Sequence, residues 1–153
     1  MGQLSAALTA RNDPDNRLEA TGKFKQMLDD LKRSSRETED TSQRRVARRV
    51  LNQLFAQFYE TGTTLLQRQR DYDRAVYNLE IAAEIATKSP QVFFDLARAY
   101  ALNGEKKKSI QALRTAITLG FTDLEAITTD AALLSLRNEA QYREIVEGLK
   151  NRH

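Results

Sequence analysis

Two stretches of this chain carry the same order of small and large apolar residues 34 positions apart, and that offset constrains the fold more than anything else in the sequence. Ala75 is matched by Ser109, Val76 by Ile110, Leu79 by Leu113, Ala82 by Ala116 and Ile85 by Leu119. Upstream, Tyr59 is matched by Phe93 and Leu66 by Tyr100. A fixed period of this size belongs to stacked helical repeats, in which each unit buries its face against its neighbours. The small residues have a physical place in such a stack. Where two helices cross closely, alanine or glycine lets the backbones approach, and large residues fill the space beside the crossing. Ala82 and Ala116 are therefore expected at tight crossings.

Helical periodicity and breakers set the expected elements. Residues 1–12 are weakly patterned and expected to be loose. Asn12-Asp13-Pro14 reads as a helix start, with Asp13 as cap and Pro14 in the first turn. Phe24, Met27, Leu28 and Leu31 follow as one apolar stripe. No large apolar residue occurs between Lys32 and Arg45, so a polar connector of partial helicity is expected there. A long helix over 42–68 carries Val46, Val50, Leu54 and Phe58, joined by Leu51, Phe55, Leu65 and Leu66, and Arg70-Asp71 breaks it. A second helix is expected over 72–87, with Ser89-Pro90 closing that unit. The next pair spans 92–102 and 106–119, separated by Asn103-Gly104, where glycine suits a left-handed helix end. Beyond Gly120-Phe121 the pattern predicts a turn at 123–128, a short helix at 130–136 and a last helix at 139–150. Asn138 and Gln141 resemble a capping box there, and Tyr142, Ile145, Val146 and Leu149 form the inner stripe. The expected organisation is an N-terminal helical segment with its connector, residues 1–41, and a helical repeat domain, residues 42–153.

These residues resemble the tetratricopeptide repeat family, whose 34-residue units follow a W-x2-L-G-x2-Y…A-x3-F…P pattern. In the second unit Phe93 stands at the tryptophan position, Leu96-Ala97 at the Leu-Gly pair, Tyr100 at the tyrosine, Ser109 at the small residue and Leu113 at the aromatic. Ala116 follows three residues on. The first unit has Tyr59, Gly62, Thr63, Leu66, Ala75, Leu79 and Ala82 in those roles. The closing proline is absent from both, with Thr87 and Phe121 in its place, and the stretch from Leu124 fits only as a degenerate capping unit. The resemblance implies an all-α fold, a short right-handed α-solenoid. It also implies a concave groove lined by first helices. The groove positions would be Gln57, Glu60, Thr64, Gln67 and Arg68 in the first unit, and Gln91, Phe94, Arg98, Ala101 and Leu102 in the second. Family members that hold a peptide's C-terminal carboxylates use lysine and asparagine where this chain has Glu60, Thr64 and Asp95. That ligand is disfavoured, and a mixed groove anchored by Phe94 and Arg98 is expected.

Catalytic chemistry has little to stand on. There is no cysteine, and the one histidine is His153, the last residue. Thiol nucleophiles, histidine bases and Cys/His zinc sites are thereby excluded. Asp29-Asp30 and the run Glu37, Glu39, Asp40 sit in polar surroundings, where acid–base work would need burial to perturb them. The glycines are scattered singly, so no phosphate loop is present. No enzyme activity, cofactor or metal is expected. Arg44, Arg45, Arg48 and Arg49 form a basic stripe opposite Val46, Val50 and Leu54, with no aromatic interleaved to stack on bases. With a net charge of only +3, nucleic acid is not the expected partner.

No apolar run approaches the roughly 20 residues of a membrane span, and the first residues lack the basic start and apolar core of a secretory signal. The expected protein is a soluble one whose partner is a protein or peptide. A cytoplasmic location is the default, and a piece of a longer periplasmic or secreted chain would read the same way. A second reading makes it the C-terminal docking or dimerisation appendage of a larger bacterial or secreted enzyme. In that reading Phe24, Met27, Leu28 and Leu31 can pack in trans and yield a homodimer.

Overall fold

Helices α1 (Pro14–Ser35) and α2 (Ser42–Thr64) open the fold, and a π-helical turn (Leu65–Gln69) extends α2. They are followed by α3 (Tyr72–Ile85), α4 (Pro90–Leu102), α5 (Lys106–Thr118), α6 (Leu124–Thr129), a 3-10 turn (Ala131–Leu136) and α7 (Ala140–Lys150). The structure is a computed structural model and describes residues 14–151. Among these residues there is no strand, and no helix is long and apolar enough to cross a membrane. The expected cap at Asp13 and the terminal His153 lie outside the described residues. The chain divides into two compact units, 1–53 and 54–153. The division falls inside α2, whereas the sequence pattern placed it after residue 41.

In the first unit α1 continues to Ser35, past the point where the apolar stripe ends. Lys32 and Arg33 in its last turn suit the negative end of the helix dipole and lie 3.7 and 3.5 Å from Asp29 and Asp30. The connector is therefore only residues 36–41. Thr41 caps α2 by accepting a hydrogen bond from the Arg44 backbone N–H at 3.1 Å. The buried positions of α2 are Ala47, Leu51, Leu54 and Phe58. Leu51, Leu54 and Phe58 are buried as read from sequence, and Val46 is the correction: it is 57% exposed, and the helix turns Ala47 inward instead. The basic stripe ties down the connector. Arg45 donates to the Asp40 carboxylate at 3.1 Å, and Arg48 donates to the Ser35 carbonyl at the end of α1 at 3.3 Å.

In the second unit, short turns join helices that pack on one another. An added Cβ on Gly62 would lie 2.8 Å from Leu79 Cγ, so α2 and α3 approach closely there. Leu79, Ala75 and Ala82 are fully buried there. Arg70 ends the π turn with φ 54, and Asp71 caps α3 by accepting from the Arg74 N–H at 3.3 Å. Pro90 then opens α4 as its first residue rather than merely closing what precedes it, since its missing N–H costs nothing in a first turn. Helices α4 and α5 pack along their length. Gly104, with φ 81, reverses the chain between them, and buried Ser109 donates to the Ala97 carbonyl at 2.6 Å. Ala97, Leu113 and Ala116 are completely enclosed.

After Gly120, also left-handed with φ 105, the tail returns over the second unit. The expected turn at 123–128 is the short helix α6, capped by Asp123 through a 2.8 Å bond from the Ala126 N–H. Asp130 caps the 3-10 turn through the Ala132 N–H at 2.7 Å. The expected capping box at Asn138 does not form: the cap position is Glu139, without a side-chain bond. The stripe of Tyr142, Ile145, Val146 and Leu149 is buried as read from sequence, and Tyr142 donates to the Ile127 carbonyl at 2.7 Å.

Candidate protein-binding face on the first helices

The second half of α2, its π turn and α4 carry the groove positions expected from sequence, and burial sorts those positions into two sets. Gln57, Glu60, Gln67, Arg68 and Gln91 are exposed; Thr64, Arg98 and Leu102 are half-buried. Phe94 and Ala101 are buried, each 5% exposed. Phe94 as an open apolar anchor is therefore a correction. Its ring stacks on Phe121, with centroids 4.2 Å apart and 15° between planes. The cause lies in the tail. The left-handed Gly120 sends Phe121 back onto α4, and the 3-10 turn packs along the same helix. What covers the second-unit part of the face is thus the C-terminal tail.

Between the two sets runs a polar chain that links the first helices. Asp95 of α4 is 4% exposed. Its Oδ2 accepts from the Tyr59 hydroxyl of α2 at 2.6 Å and from Gln91 Nε2 at 3.3 Å, while Oδ1 accepts from Arg98 at 3.1 Å. Arg98 Nε in turn lies 2.8 Å from Asp130 Oδ2, at the start of the 3-10 turn. A buried carboxylate is tolerated only when paired and hydrogen-bonded, and here both oxygens have donors. Burial, and then the bond to Asp95, push the Tyr59 phenol well above its ordinary value, so it remains a donor at all ordinary pH. Phe55 stacks on Tyr59 at 5.5 Å and fixes the ring.

Asp95 is enclosed and its oxygens are occupied, so it is not placed to take a proton from a substrate. Among the described residues no cluster of three or more Asp, Glu, His or Cys has the arrangement to hold a metal ion. A similar device stands between α3 and α4, where Tyr100 donates to Glu80 at 2.5 Å and Lys108 lies 5.2 Å from the Tyr100 ring centre.

Sequence reasoning missed Asp130 and Phe121 as parts of this face, and it placed Asp95 there without its partner Tyr59. Tyr59 and Asp95 are 36 positions apart, close to the repeat offset, which is the one signal that could have paired them. No protein-family model matches the chain, and comparison with curated proteins and with solved structures returns no match.

Proposed function

We propose that this chain is a non-catalytic protein-interaction module, a short right-handed solenoid of the tetratricopeptide kind whose first helices present the binding face. The observation that carries the reading is the hydrogen-bonded chain Tyr59–Asp95–Arg98, extended by the Arg98–Asp130 ion pair, which joins the first helix of one 34-residue unit to that of the next and then to the tail. Contact between equivalent helices of successive units is what stacking requires. The part left for a partner is polar and of mixed charge: Gln57, Glu60, Gln67 and Arg68 on α2 and its π turn, and Gln91 on α4. Such a surface suits an extended polypeptide held by hydrogen bonds and one or two ion pairs.

Photoreactive residues placed at Glu60 and Gln67, with Lys107 and Thr122 as controls, test the face. Discrete protein adducts at the first two positions and none at the controls support the proposal. Equal labelling everywhere, or labelling only at the controls, overturns it.

A further inference from the structure

Within the first unit, a groove of about 460 Å³ runs between α1 and α2, lined among others by Lys23, Gln26, Met27, Asp30 and Leu31 of α1 and Val46 of α2. Met27 and Leu31 are half-buried, and Val46 is more than half exposed. A lone exposed valine is ordinary, but one flanking half-buried methionine and leucine along a groove leaves apolar packing unfinished.

The charge order along α1 says what finishes it. Lys23 and Asp30 lie two helical turns apart on the groove side, with Met27 between them. A second α1 laid antiparallel, on a two-fold axis between Gln26 and Met27, sets Lys23 against the partner's Asp30 and Asp30 against the partner's Lys23. The same register seats Leu31 over the partner's Gly22, a position where an added Cβ would meet nothing within 4 Å. A parallel arrangement would oppose lysine to lysine and aspartate to aspartate. The contact Asp30 already makes, with Arg33 at 3.5 Å, is between two exposed side chains and contributes little.

We propose that this groove is a self-association face, through which two copies of the chain pair antiparallel along α1. The interface is isologous, so each complementary contact occurs twice. The inference stands independently of the binding face on the first helices.

Sedimentation velocity of the full chain across a concentration series tests it. The expected result is a concentration-dependent dimer. Lys23→Glu and Asp30→Lys, both at exposed positions, should each weaken association by about tenfold or more, because each opposes like charges twice. An equimolar mixture of the two variants should re-form a dimer, since both cross-contacts then become complementary. A wild-type chain that stays monomeric throughout overturns the proposal. So do single variants that associate as wild type, or a mixture that fails to recover. Circular dichroism of each variant establishes that helicity is kept.

Discussion

Gly62 is the residue on which the first helix pair turns. Leu79 Cγ stands 2.8 Å, and Leu79 Cδ2 3.1 Å, from where a Cβ would lie, and Leu79 is itself fully enclosed and has nowhere to move. Gly62→Ala should therefore overpack the crossing and cost about 1–3 kcal/mol in chemical denaturation. Gly22→Ala is the counter-case: it lies inside α1 with open space around it, and should stabilise by about 0.5–1 kcal/mol. Gly104 also has open space, but its φ of 81 makes Gly104→Val destabilising. If the first and third changes leave the melting midpoint where it was, the crossing and the turn are misplaced. Gly62, with Ala82 and Ala116, was legible in the sequence because backbone approach leaves a trace in residue size. Phe94 was not. Its direction on the helix follows from periodicity, but the return of Phe121 over it depends on the path of the tail, which no local pattern encodes.

At the scale of elements, capping and chain reversal decide where each helix stops. Asp71, Asp123 and Asp130 each accept a backbone N–H at the start of a helix or turn. Asp71→Ala should lower stability by about 0.5–2 kcal/mol, measured by urea titration, because the first turn of α3 loses its acceptor. An unchanged midpoint would mean that the cap contributes nothing. Helix interiors were readable from apolar spacing, and the joints near residues 70 and 104 from the break in that spacing. The limits of α1 were not, since its last turn rests on Lys32 and Arg33 rather than on apolar contacts. The inward face of α2 was legible at Leu51, Leu54 and Phe58 but not in its first turns, where Val46 and Val50 repeat as regularly as Ala47 and Leu51 and periodicity alone does not choose between stripes one residue apart. The cap of α7 failed for a related reason: an Asn-x-x-Gln spacing is common, and the chain starts that helix one residue later.

Across the whole molecule, an all-helical fold was written in composition and period, while the bonds that tie one helix pair to the next were not, because they join residues of different registers. Two of those ties use tyrosines, Tyr59 to Asp95 and Tyr100 to Glu80, and Tyr142 joins α7 to α6 within the tail. Burial is the chief cause that raises the phenols of Tyr59, Tyr100 and Tyr142 above their usual value. A group whose folded pKa is raised lends stability that is complete below its unfolded pKa and is lost as pH climbs toward the folded one. Stability contributed by these phenols should hold up to about pH 10 and fall above it, with phenolate absorbance rising together with the loss of helix. Phenolate from all five tyrosines near pH 10 with helicity intact would contradict the buried donors. The central claim is that successive helix pairs are stacked through their first helices, and a double-mutant cycle on Tyr59 and Asp95 tests it most directly. The stabilities of Tyr59→Phe, Asp95→Asn and the double variant should reveal a coupling of about 1 kcal/mol or more. Effects that add to within about 0.3 kcal/mol would show that the two helices do not meet there, and the stacked arrangement would have to be abandoned.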